Sequence, residues 1–235
     1  MRPLSSRELL DVWEECLDQS PVERAILLLR AACQNDPGLL AVGERDARLL
    51  TLREWTFGSA VAALAACPEC GDSQELNFQI SDVRADAASR SAPLRLSRDG
   101  YDVEFRPPNS LDLRALESGG CVANLLDCCV MHATRDGEAV APSQLPAEIV
   151  SAVSESMSEA DPQSEIRLAV ACSNCGHRWS ATFDALSFFW SEIQGWAGRL
   201  LNEVHQLAAA YGWSESDIVA LSPLRRHLYL NLVAE

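Results

Sequence analysis

The sequence contains no lysine: all 19 basic residues are arginine, against 34 acidic ones, for a net charge of −15. A chain without lysine cannot form a Schiff base and has no phosphate-loop lysine. Its acidity makes it a poor ligand for nucleic acid, because non-specific affinity there comes from neutralising phosphates. No apolar run reaches the length of a membrane span, and the opening Met-Arg-Pro-Leu-Ser-Ser lacks the apolar core of a secretory signal. We therefore expect a cytoplasmic protein with no membrane partner. No glycine-rich phosphate loop or G-x-S-x-G occurs, and no carboxylate pairs with a histidine at a recognisable catalytic spacing. The sequence gives no indication of an enzyme.

What is present in excess is cysteine, nine in 235 residues. An odd number without a secretory signal argues against a disulfide framework. Four of the nine form two matching phrases, Cys67-Pro68-Glu69-Cys70-Gly71 and Cys172-Ser173-Asn174-Cys175-Gly176, with 101 residues (71–171) between Cys70 and Cys172. In a zinc ribbon this spacing lets two thiolates grip one metal from a tight turn, with glycine reversing the chain beneath it. Alternating apolar residues flank the phrases: Leu76, Phe78 and Ile80 after the first, Ile166, Leu168 and Val170 before the second, Trp179, Ala181 and Phe183 after it. The expectation is one structural Zn²⁺ held by Cys67, Cys70, Cys172 and Cys175, with His177 as a lesser alternative ligand. A redox C-x-x-C would instead open a helix. Cys16, Cys33, Cys121, Cys128 and Cys129 read as small buried residues. Cys128 and His132, one turn apart on an expected helix, make only a weak nucleophile–base pair, and His205 reads as an edge residue of a long helix.

The implied fold class is α+β: a discontinuous zinc ribbon with N- and C-terminal helices and an inserted small α+β subdomain. Residues 1–66 form the N-terminal helical region, 67–80 plus 165–184 the split ribbon, 81–162 the insertion, and 185–235 a long helix with a helical tip. Ser6 and Ser20 are placed as caps of two helices within 6–34. A third helix is expected over 43–66, bent near Phe57-Gly58, with Trp55 and Leu64 among its buried residues and Arg45, Arg48 and Arg53 on a solvated face. Residues 84–93 have the composition of a linker. A hairpin turns at Asp99-Gly100. Helices follow near 111–116, over 120–133 and over 146–160. From Leu186 to Tyr211, apolar residues recur every three or four positions, as in one amphipathic helix of about seven turns. Two short helices close the chain, the last with Leu224, Leu228 and Leu232 expected inward.

The C-terminal phrases Phe188-Phe189-Trp190-Ser191-Glu192-Ile193, Ala210-Tyr211-Gly212-Trp213-Ser214-Glu215 and Arg225-Arg226-His227-Leu228-Tyr229-Leu230 carry a resemblance. So do the two knuckles and Phe105-Arg106-Pro107-Pro108-Asn109-Ser110-Leu111-Asp112-Leu113. Together they resemble the baseplate hub assembly chaperones of T-even type contractile phages and related extracellular contractile injection systems, in a zinc-knuckle version. The resemblance spans most of 22–233 and is densest over 165–233. It implies a non-catalytic protein that binds baseplate or hub subunits during assembly or stays in the particle. Trp213, Arg225, Arg226 and Tyr229 have the residue types that dominate protein interfaces, although the two aromatics would equally pack the terminal helices together. A zinc-ribbon adaptor in transcription or RNA metabolism and a thiol-redox enzyme are the alternatives.

Overall fold

The computed structural model describes residues 1–34, 36–85, 93–117, 119 and 122–233. Cys121 and most of the expected linker, residues 86–92, lie outside the described residues. The architecture is α+β.

The chain begins with α1 (Ser6–Glu15) and α2 (Pro21–Ala32). Ser5, rather than Ser6, caps α1: its hydroxyl accepts from Glu8 N–H, and the Glu8 carboxylate accepts from Ser5 N–H at 2.9 Å. The reciprocal bond needs an acid three positions after the cap, and Glu8 stands there for Ser5. Ser20 caps α2 with Pro21 at the first helical position. Next comes α3 (Val42–Phe57), whose cap residue Ala41 has no side chain that can accept. The carboxylate of Asp161 fills that role from the far end of the expected insertion, accepting from Gly43 N–H at 2.8 Å. A side chain at Gly43 would meet it, since a Cβ there would lie 1.9 Å from Asp161 Oδ1.

The expected helix over 43–66 ends early. Gly58, at φ 91°, stops α3, and Ala60–Ala66 is a strand, β1, antiparallel to β2 (Ser73–Gln79) with Val61 opposite Phe78. Alanine favours helix locally, but here seven cross-strand pairs outweigh that preference. Trp55 and Leu64, expected to be buried, are exposed. Arg45 and Arg53, expected to be solvated, are buried. Arg53 donates to both carboxylate oxygens of Glu192, at 2.8 and 2.6 Å, and to Gly58 O at 2.7 Å. Arg45 donates to Asp46 at 2.7 Å, while Arg48 pairs with Glu44 one turn away. A buried guanidinium is tolerated when its fork is filled in this way.

After the short α4 (Ile80–Val83) the chain builds a four-stranded antiparallel sheet, in the order β3 (Leu94–Arg98), β4 (Tyr101–Phe105), β5 (Val130–Arg135), β6 (Glu138–Ala139). Between β4 and β5 run α5 (Ser110–Glu117), with Asn109 accepting from Asp112 N–H at its start, and α6 (Val122–Cys129). The expected helix over 120–133 is thus cut at Cys129: Val130 and Ala133 turn inward and pair with β4. The helix α7 (Ala147–Ala160) lays Ile149 and Val153 on Val103 and Phe105, giving this segment a core of its own.

The return strands β7 (Ile166–Ala171) and β8 (Arg178–Phe183) form a second two-stranded ribbon. Then α8 (Ala185–Tyr211) packs Phe189 and Ile193 against Leu28, Leu29, Leu49 and Leu52 in the main core. Farther along, Leu200 and Leu207 meet Ile218 of α9 (Glu215–Ala220). The last described helix, α10 (Pro223–Val233), corrects another expectation: Leu224, Leu228 and Leu232 face solvent. What α10 buries is Arg226, which donates to Glu203 at 2.7 Å and to Leu221 O at 2.7 Å, with Tyr229 and Leu230 beside it.

Candidate metal centre

The ribbons β1–β2 and β7–β8 face each other. Val61 and Phe78 from one meet Ile166, Leu168 and Phe183 from the other, and the rings of Phe78 and Phe183 cross edge to face at 5.2 Å. This apolar layer is thin, and at its open end the two ribbon turns come together.

The turns have the same construction. Gly71 N–H donates to Cys67 O and Cys67 N–H to Asp72 O, both at 2.9 Å. In the second turn Gly176 N–H donates to Cys172 O at 3.0 Å and Cys172 N–H to His177 O at 2.8 Å. Gly71 and Gly176 share φ 74°, a conformation in which a side chain is strained. Cys67 and Cys172 are buried, Cys70 and Cys175 exposed.

All four sulfurs lie within 4.8 Å of one another. Cys67 Sγ is 3.7 Å from Cys175 Sγ, and Cys70 Sγ is 3.6 Å from Cys172 Sγ. Four sulfurs each ~2.3 Å from one tetrahedral ion stand about 3.8 Å apart, so the donor set fits a single zinc-sized cation. Nearby amides favour negative charge on sulfur. Cys175 N–H, and secondarily Asn174 N–H, hold the Cys172 thiol down to about 7 despite burial. His177 N–H acts the same way on Cys175, but local desolvation and the neighbouring sulfurs of Cys70, Cys172 and Cys67 outweigh it and push that thiol up to about 12. Negative charge on one sulfur thus opposes charge on the next, and a cation among them relieves the conflict.

Gln74 is a site residue missing from the sequence reading. It is buried; its Oε1 accepts from Ser173 N–H in the opposite turn at 2.8 Å, and its Nε2 donates to Asp72 at 2.6 Å. The available signal was a polar residue in the inward register of β2, the face shared with Leu76 and Phe78. Asn174 Nδ2 reaches Cys70 Sγ at 3.8 Å. The His177 ring stacks on Trp179 at 6.1 Å.

The other singled-out residues are dispersed. Cys128 is exposed, and Cys129 is buried with its thiol pushed up to about 11 by burial. His132 lies on β5, so the one-turn helical relation expected with Cys128 does not exist. His205 is exposed on α8, and buried Cys16 is likewise raised to about 11 by burial. Trp213 and Tyr229 are half-buried in an aromatic triad with Tyr211, at 4.7 Å (Tyr211–Trp213) and 4.9 Å (Trp213–Tyr229). Of the four expected partner residues, Arg225 alone is exposed. No described helix is long and apolar enough to cross a membrane.

No curated protein and no solved structure matches the chain. A family model described as T4 bacteriophage base plate protein matches residues 4–190. The match takes in α1 to α7, both ribbons, the four cysteines and the first residues of α8, and ends at Trp190, inside the stretch 165–233 where the sequence resemblance is densest. With most of its length matched, the chain belongs to the T4 bacteriophage base plate protein family, which supports a structural or assembly role in a baseplate.

Proposed function

We propose that the protein is a non-catalytic docking or hub assembly chaperone component of a contractile tail-like particle, with a structural Zn²⁺ fastening its scaffold. The observation that carries this reading is the convergence of Cys67, Cys70, Cys172 and Cys175 from turns 102 positions apart at a spacing suited to one tetrahedral ion. Four thiolates around zinc leave no open coordination position for a substrate or an activated water, so the ion's role is to hold the fold. The metal substitutes for a hydrophobic layer too thin to keep two two-stranded ribbons together. Binding to other baseplate subunits falls to the helical surfaces, with the C-terminal tip bearing Trp213, Arg225 and Tyr229, and Arg226 bracing it from beneath.

The test is co-expression with the other subunits of a contractile-tail baseplate, followed by purification and metal analysis. One zinc per chain and stable co-purification with a subunit are expected. A chain that elutes alone and without metal refutes the reading.

A further inference from the structure

Helix α10 is at odds with the rest of the molecule in two respects. Leu224, Leu228 and Leu232 are 69, 54 and 61% exposed. They recur every four residues, and at about 100° per residue they form one stripe on the side away from Arg226 and Leu230. In a chain of net charge −15, residues 223–233 also contain no acidic residue. Arg225 and His227, both exposed, flank the stripe on its two sides. The helix is held from behind, through Arg226 to Glu203 and through the Tyr211–Trp213–Tyr229 triad, so the stripe is presented on a fixed support.

We propose that this face of α10 is a docking helix that seats in an apolar groove with a carboxylate rim on another protein. The proposal rests on the docking role above and names the surface that performs it. Two features set the occupant apart from a second copy of this chain. Three leucines on an 11-residue helix offer a few hundred Å², well short of the ~800 Å² per partner that a stable interface buries, so helix against helix is too small. A groove can wrap the stripe and take up its flanks as well. Antiparallel pairing of two copies would also bring Arg225 and His227 of each beside those of the other, whereas a carboxylate rim matches them.

The measurement uses the full chain and each of the other baseplate subunits of the same particle, with the affinity of the captured pair determined for wild type, Leu228→Glu, Arg225→Glu and Arg178→Glu. Arg178 is exposed on β8, remote from α10 in the chain, and serves as the control. A loss of at least tenfold for Leu228→Glu, a smaller and salt-dependent loss for Arg225→Glu and none for Arg178→Glu establish the surface, with unchanged melting temperatures showing that the variants fold. If Leu228→Glu binds as tightly as wild type, this surface is wrong and the docking role stands. If no subunit binds wild type, the docking role fails and the surface fails with it. If sedimentation instead shows a self-associated chain that Leu228→Glu makes monomeric, the occupant is a second copy and the proposal is overturned.

Discussion

Replacing Cys172 with serine removes one of four donors and tests whether one ion ties the two ribbons. Cys70 and Cys172 are 102 positions apart, so a shared ion closes a loop of that length in the folded chain. Closing a flexible loop of ~100 residues costs about 4 kcal/mol of chain entropy, which the cation's binding energy offsets and which its loss leaves uncompensated. In a chain of this size each kcal/mol lowers the melting temperature by roughly 2–4 °C, so Cys172→Ser should melt about 8–16 °C below wild type. Metal content should fall from one zinc per chain to none. The effect should also cross to the other ribbon: hydrogen exchange of Ala60–Ala66 amides in β1 should quicken, although the altered residue follows β7. The assays are elemental analysis, calorimetry and exchange mass spectrometry on the same preparation. A variant that keeps its zinc and melts within ~2 °C of wild type refutes the shared site. So does exchange that quickens only around 172–177, because separate metals on separate turns would behave that way.

Three further outcomes are expected. Arg53→Ala strands Glu192 and Gly58 O, and should lower stability by about 3 kcal/mol in denaturant titration, near the lower end for a broken buried pair because Glu192 keeps some solvent. The Arg2 guanidinium, with Ser5, holds the Glu8 carboxyl at about 2, below its usual 4.5. A depressed acid contributes stability that is present above pH 4.5 and lost as pH falls toward 2, so Glu8→Gln should flatten the stability profile across that window. Chelation should expose the four clustered thiols to a thiol titrant, and restoring zinc should protect them again. Equal reactivity with and without chelator would deny the metal.

The punctuation and the cysteine spacing were readable because their causes are local. Ser20-Pro21 and Asp99-Gly100 act through their own backbone, and each lies where the sequence places it. The two knuckle phrases announce their turns for the same reason, and the structure brings their sulfurs together. The failures share a nonlocal cause. Ala60–Ala66 has helical composition and becomes a strand because β2 arrives beside it. Val130 leaves its helix because β4 offers an edge. Arg53 is buried because Glu192, 139 positions away, fills its fork. The leucines of α10 have helical periodicity, but periodicity cannot say which face the core accepts, and there the core takes Arg226.

The contact between Asp161 and Gly43 bears on how force would travel through the molecule. Between β4 and α5 the chain touches the start of α3: Asn109 bridges to Ala41, and Pro108 O accepts from Val42 N–H. It comes back at Asp161, seated on the first turn of the same helix. The middle of the segment that carries β3–β6 and the residue that follows α7 are therefore moored to one spot. A tug on that sheet by a neighbouring subunit would load the start of α3 and pass through Arg53 and Glu192 into the longest helix of the molecule, making α3 the axle on which sheet and helical tip turn together.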